Sequence, residues 1–256
     1  MTTSTSEPTR RFSDRVENYV KYRPKYPPEV LSFLRENCSL TSEAVVADIG
    51  SGTGFLTELF LENGNEVYAV EPNKAMRQAG QRYLQRFEKV TSIDGTAESI
   101  TLADQSVDFI AVGQAFHWFD LDKARLEFQR ILRPGGYVAL VWNDRHTEST
   151  PFLRAYERLL LEHSIDYPKV DHKNIGPREL ERFFGARPSE SDFYYCQHFD
   201  FVSLRGRLLS SSYAPNEDDP RFPETERNLQ DIFQEHQDNG VVAFEYDTRI
   251  FHGKLI

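Results

Sequence analysis

The chain has 256 residues, with 40 acidic against 30 basic side chains and a formal net charge of −10. That balance argues against a nucleic-acid or anionic-membrane partner, either of which would call for a basic face. Two cysteines, Cys38 and Cys196, with no C-x-x-C pair, suggest neither a disulfide framework nor a cysteine zinc site. The histidines do not repeat at i, i+4, so no metal is expected. No apolar run reaches the length of a membrane span, and MTTSTSEPTRR lacks a signal peptide's apolar core. The expectation is a cytoplasmic protein, monomer or homodimer, without a membrane span.

Residues 1–10 are polar and read as a disordered tail, and 11–256 as a single domain. An aromatic-basic segment holding Tyr19, Tyr22, Arg23 and Tyr26 leads into a helix over 28–37, the two forming a cap over 11–37. The core, 38–142, opens on a β-branched apolar run at 44–47, which suits a strand buried on both faces. Asp48 closes it, and Gly50, Gly52 and Gly54 follow in alternation with Ser51 and Thr53. Glycines so spaced make a tight turn and let a ligand lie against bare backbone. From Phe55 the apolar spacing turns helical, Asn63-Gly64 stops it, and a second buried strand ends in Glu71. A helix over 74–87 starts behind Pro72-Asn73. Met76 within it reads either as an adenine contact or as core filler. A third strand over 90–94 precedes Gly95-Thr96-Ala97-Glu98. A fourth over 107–112 runs into Gly113-Gln114-Ala115-Phe116-His117-Trp118-Phe119-Asp120.

Ligands of open parallel sheets bind outside the carboxyl ends of the strands, so the 113–120 loop should face a site. His117 reads either as a catalytic group or as a hydrogen-bonded histidine within an aromatic plug. A helix over 120–132, a turn at Arg133-Pro134-Gly135-Gly136 and a fifth strand over 137–142 complete a doubly wound, parallel arrangement. Beyond Asn143 the composition shifts. Helices are expected over 150–165, 177–184, 204–212 and 225–238, with strands over 193–202 and 241–254. The stretch 143–190 reads as a helical lid and 191–256 as closing strands and helices.

A dinucleotide fingerprint would need a glycine where Phe55 or Thr57 stands. Asp48-Ile49-Gly50-Ser51-Gly52-Thr53-Gly54 instead resembles the first motif of the class I S-adenosylmethionine-dependent methyltransferases. Leu132-Arg133-Pro134-Gly135-Gly136 also looks like that family, and Tyr22-Arg23-Pro24 with Tyr26-Pro27 and the Gln114…His117-Trp118 string resemble a subgroup with ubiquinone/menaquinone-type and trans-aconitate-type enzymes. The resemblance covers about Phe12 to Trp142. It implies a Rossmann-like α/β fold: a mostly parallel seven-stranded sheet with an antiparallel C-terminal strand. It implies S-adenosyl-L-methionine as cofactor and methyl transfer to a small molecule, at oxygen, nitrogen or carbon. The alternatives are a nicotinamide-dinucleotide oxidoreductase, a non-catalytic S-adenosylmethionine-binding protein and a macromolecule methyltransferase. Implied cofactor contacts are Tyr22, Arg23, Asp48, Gly50, Ser51, Gly52, Gly54, Glu71, Pro72, Met76, Thr96, Ala97, Glu98 and Gln114. Tyr19, Phe116, His117, Trp118, Trp142 and Tyr213 are the substrate candidates, with His117 the catalytic one.

Overall fold

A computed structural model describes residues 15–165, 167 and 175–256. The expected tail at 1–10 and part of the expected lid lie outside these residues. Seven strands form one sheet: β1 (Val45–Ile49), β2 (Glu66–Val70), β3 (Val90–Ile93), β4 (Val107–Gly113), β5 (Leu132–Arg145), β6 (Ser189–Phe199) and β7 (Val242–Gly253). Their order is β3-β2-β1-β4-β5-β7-β6. β1 to β5 pair in parallel, and β7 lies antiparallel to both β5 and β6. This is the doubly wound, mostly parallel sheet the sequence suggested, closed by a reversed C-terminal strand.

Alternate residues of the central strands feed two cores, as the two-residue period of a strand requires. Ala47, Ile49, Ile110, Val112, Val138 and Leu140 face one side, against α5 (Leu121–Ile131) and α7 (Pro177–Phe184). Val46, Val67, Phe109, Ala111, Ala139 and Val141 face the other, against α2 (Glu29–Asn37) and α3 (Phe55–Glu62). A third cluster joins α6 (Pro151–His163), α8 (Phe201–Leu209) and α9 (Phe222–His236) to the first half of β7. The 150–165 segment expected in a lid thus supplies Phe152, Leu153 and Tyr156 to a packed core.

Several boundaries differ from the sequence expectation, each for a local reason. The helix α4 (Lys74–Tyr83) starts where Asn73 Oδ1 accepts the Ala75 and Met76 amides, and it stops four residues short of the expected 87. β5 begins at Leu132, so Arg133 to Gly136 are strand with a register shift against β4 between Val107 and Phe109. β6 ends at Phe199 because Asp200 caps α8, its side chain accepting the Ser203 amide. The helix α1 (Val16–Tyr22) was not expected, and none of its residues is fully buried. It is held from outside. Arg15, just before it, donates to the carbonyls of Leu209, Ser211 and Ala214 at 3.0, 2.7 and 2.6 Å. The Tyr22 ring lies so close to Gly206 of α8 that a Cβ there would stand 2.0 Å from Tyr22 Cε2.

Candidate active site

The strand order reverses between β2 and β4 on either side of β1, so a crevice opens at the carboxyl ends of β1 and β4. A cavity stands there. Its floor is Asp48 with the turn Gly50 to Thr53, and its walls include Gln114, His117 and Trp118 after β4. Asn143 and Arg145 at the end of β5 close one side, and Arg207, Ser212 and Tyr213 after α8 another. Tyr19, Arg23, Pro24 and Tyr26 come over from the N-terminal segment.

The turn that makes the floor is tightly constrained. The Gly50 and Ser51 amides donate to the Val70 carbonyl at 2.9 and 3.1 Å, tying the tips of β1 and β2 together. Gly50 has φ +73, and a Cβ there would lie 2.5 Å from Ala115 Cβ; no other residue fits. At Gly113 a Cβ would meet Tyr26 Oη at 2.5 Å, so the end of β4 is bare to let the tyrosine in. The N-terminal segment is tied down by Asn143, whose Nδ2 donates to the Lys25 carbonyl at 3.2 Å and whose Oδ1 accepts from Thr248 at 2.6 Å. Gln114 adopts φ 56 and donates through Nε2 to the Asn143 carbonyl at 3.3 Å.

Two carboxyls serve this floor differently. Asp48 is fully buried; its Oδ2 accepts the Thr57 hydroxyl at 2.6 Å, and its Oδ1 has no partner among the described residues. Burial pushes its carboxyl up to about 7, with Glu71 nearby adding to the shift and the Thr57 bonds opposing it. Glu71 is also raised by burial, against the pull of two backbone bonds. Its oxygens accept the Gly52 amide at 2.9 Å and the Asn73 amide at 2.7 Å. Glu71 therefore clamps the glycine turn, a contact its place in the sequence did not announce. Thr53 Oγ1 and Arg23 Nε are likewise buried without partners at the cavity wall.

The remaining sequence candidates lie outside this cavity. Tyr22 packs on Gly206, and Gly54, with Ser51 and Gly52, borders a second hollow beside Gly80 and Leu84. Pro72 gives its carbonyl to Arg77, and Met76 is buried beneath Gly52. Thr96 bridges to Ser99, Ala97 joins the core, and Glu98 accepts the Asp120 amide. Phe116 is fully buried edge-on to Phe183, and Trp142 packs on Phe116 and Phe251. Tyr19, Arg23, Asp48, Gly50, Ser51, Gly52, Gln114, His117, Trp118 and Tyr213 do meet around the cavity. So does Tyr26, which the sequence reading placed in the cap, and so do residues that reading missed: Asn143, Arg145, Tyr167, Arg207 and Tyr246. Arg207 carried one signal, a charge inside the apolar run LRGRLL.

Residues 47–140, which include the floor of this crevice, match the methyltransferase-domain family. Over this stretch the chain is similar to methyltransferase domains. It is 40% identical over 145 residues to an uncharacterized methyltransferase of Mycobacterium bovis. It is 34% identical over 152 residues to another of Schizosaccharomyces pombe. The matched stretches span 57% and 59% of those relatives' own lengths. Among solved structures, a protein provisionally called a type II methyltransferase, from Anaeromyxobacter dehalogenans, superposes with a TM-score of 0.61 at 20% identity, over 92% of this chain and 99% of that one. The YcgJ protein of Bacillus subtilis gives 0.56 at 22%, over 89% and 99%. At these identities the likeness is one of fold. Against that fold, the methyltransferase motif around Gly50 stands at the switch point where ligands of doubly wound sheets bind.

Proposed function

We propose that the chain transfers the methyl group of S-adenosyl-L-methionine to a small-molecule acceptor in the crevice at the ends of β1 and β4. The observation that carries this is a pair of unmatched polar atoms on one cavity. Asp48 Oδ1 is an acceptor without a donor, and Arg23 Nε a donor without an acceptor. An α-amino-acid end, with its ammonium and carboxylate, complements both at once. The bare backbone from Gly50 to Gly54 lets such a ligand approach closely.

In this reading Arg23 grips the cofactor's carboxylate with its planar fork, and Asp48 takes its ammonium. Glu71 offers its remaining lone pairs to the ribose hydroxyls while holding the turn. Pro72, Met76, Thr96, Ala97 and Glu98 flank the adenine, and Gln114 orders the strand end beside it. The bound cofactor supplies a methyl made electrophilic by its sulfonium; the chain's task is to hold the acceptor in line and exclude water. Tyr19, His117, Trp118 and Tyr213 wall the acceptor space. Phe116 and Trp142 brace that wall from behind, and Tyr22 fixes α1 on α8. His117 takes a proton where the acceptor is a hydroxyl or a carbon acid, and is idle where it is a carboxylate.

Calorimetry tests the reading. S-adenosylmethionine and S-adenosylhomocysteine should bind, and nicotinamide dinucleotides should not. Radiolabelled donor should then pass its methyl to a small-molecule extract. Tight dinucleotide binding with no affinity for S-adenosylhomocysteine would refute it.

A further inference from the structure

Three arginines face the cavity: Arg23, Arg145 and Arg207. Arg145 is balanced, since it pairs with Glu157 and stands 3.3 Å from Tyr167 Oη. Neither of the others meets a carboxylate of the described residues. Arg23 gives one bond to the Ser210 carbonyl at 3.1 Å. Arg207 is 4% exposed, and its Nη1 donates to the Ser211 hydroxyl at 3.0 Å and more distantly to Ser210 Oγ at 3.5 Å. Its Nε has no partner among the described residues. Around it stand aromatic groups rather than acids: the Phe244 ring at 5.7 Å and the hydroxyls of Tyr156, Tyr213 and Tyr246.

A buried charge with no counter-charge is costly, and its usual explanation is a ligand. The field is felt by its neighbours. Burial drives Arg23 down and Arg207 pushes it further. Burial would raise the Tyr213 phenol, yet Arg207, Arg23 and Arg145 outweigh it and hold the phenol below its ordinary value. The cofactor does not cancel this charge. It carries a sulfonium, an ammonium and one carboxylate, a net of one positive charge, and its carboxylate goes to Arg23 in the reading above. Arg207 is left over, since Arg23 takes the cofactor's carboxylate and Asp48 its ammonium.

We infer that the methyl acceptor is an anion, its carboxylate or phosphate group seated on Arg207 beside Arg145, with Tyr213 and Tyr246 as further donors. This rests on the methyl-transfer reading only for which molecule is called acceptor. The anion seat itself follows from a buried guanidinium that meets no carboxylate of the described residues. Both groups are planar-fork partners of arginine, and the test separates them.

Calorimetry with succinate, inorganic phosphate and uncharged succinamide is run with and without S-adenosylhomocysteine. Wild-type protein should bind succinate or phosphate, whichever group the acceptor carries, and should not bind succinamide. Arg207→Gln should weaken that anion by about tenfold or more, the loss of one charged hydrogen-bond donor, and Arg207→Lys should restore part of it. S-adenosylhomocysteine affinity in Arg207→Gln should stay within about twofold, as expected for separate sites. Succinamide binding as well as succinate, neither anion binding, or unchanged anion affinity in Arg207→Gln would overturn the inference. Should Arg207→Gln fail to fold by circular dichroism, the wild-type arm with S-adenosylhomocysteine bound and Arg207→Lys decide, since with Arg23 taken by the cofactor's carboxylate a purely structural Arg207 predicts no anion binding. Failure of S-adenosylhomocysteine to bind wild type would instead strike the methyl-transfer reading, and the cofactor-free arm would still judge the anion seat.

Discussion

Cofactor binding should release the proton of Asp48. The side chain is fully buried and its carboxyl is pushed from 3.8 to about 7, chiefly by burial. In the free protein at pH 6 it is therefore protonated about ten to one, and at pH 8 ionised about ten to one. A ligand ammonium demands the ionised form. Apparent affinity for S-adenosylhomocysteine should accordingly rise about tenfold from pH 6 to pH 8, with close to one proton released on binding at pH 6 and about a tenth of one at pH 8. Calorimetry at pH 6 in buffers of low and high ionisation enthalpy reads that proton directly. Asp48→Asn should bind the ligand about ten to a hundred times more weakly, for the loss of one charged hydrogen bond, and should release no proton. Stability carries the opposite sign. With the folded carboxyl raised above its unfolded value, the native state binds more protons between pH 3.8 and about 7. This group's contribution is thus best below that window and falls as pH rises through it, by roughly 4 kcal/mol at most. Asp48→Asn should flatten that slope. Binding heats at pH 6 that do not depend on the buffer, with wild-type protein, would refute the reasoning.

Three further outcomes are expected. Glu71→Ala should cost cofactor affinity on the order of a hundredfold and also lower the melting temperature. It strands the Gly52 and Asn73 amides, each bond to a charged acceptor being worth about 1.5–3 kcal/mol. A lower melting temperature with unchanged affinity would leave Glu71 a clamp on the turn and no ribose ligand. Gly206→Ala should force Tyr22 away, since the new Cβ would lie 2.0 Å from its ring; overpacking of this kind costs about 1–3 kcal/mol. Thermal unfolding should fall with it, and cofactor affinity too, because α1 carries Tyr19 and leads to Arg23. An unchanged melting temperature would show that α1 is not braced there. His117→Asn should lower turnover by roughly 10²–10⁴ with the cofactor dissociation constant unmoved; unchanged turnover would make His117 wall and not base.

The sheet was legible because its signals are local. Strands buried on both faces announce themselves as β-branched runs, and the Asp48 to Gly54 turn lies between two of them. The floor of the site came with it, since a switch-point crevice needs only the ends of β1 and β4. What was not legible depends on chain brought from far away. α1 has no buried residue of its own and is fixed by Gly206 and by carbonyls near residue 210. Arg207 looks in sequence like a helix-surface charge; only the packing of α8 against β7 turns it inward. The start of α8 was misplaced although its cap was visible, because the aromatic run through Phe199 and Phe201 reads as continuous strand across Asp200.

The net charge of −10 illustrates the same division. It describes the outside of the molecule and weighs on macromolecular partners, whose charges approach over tens of ångströms. Inside the cavity the sign reverses, for two of three arginines there face no carboxylate of the described residues. Surface charges are screened over about 8 Å at physiological salt, whereas buried ones are screened far less. A small ligand that has entered therefore feels Arg207 and Arg145 and hardly the acidic exterior. Total charge can thus argue against nucleic acid and still say nothing of the acceptor. An acidic protein and the anionic acceptor proposed above are compatible because they are decided at different distances.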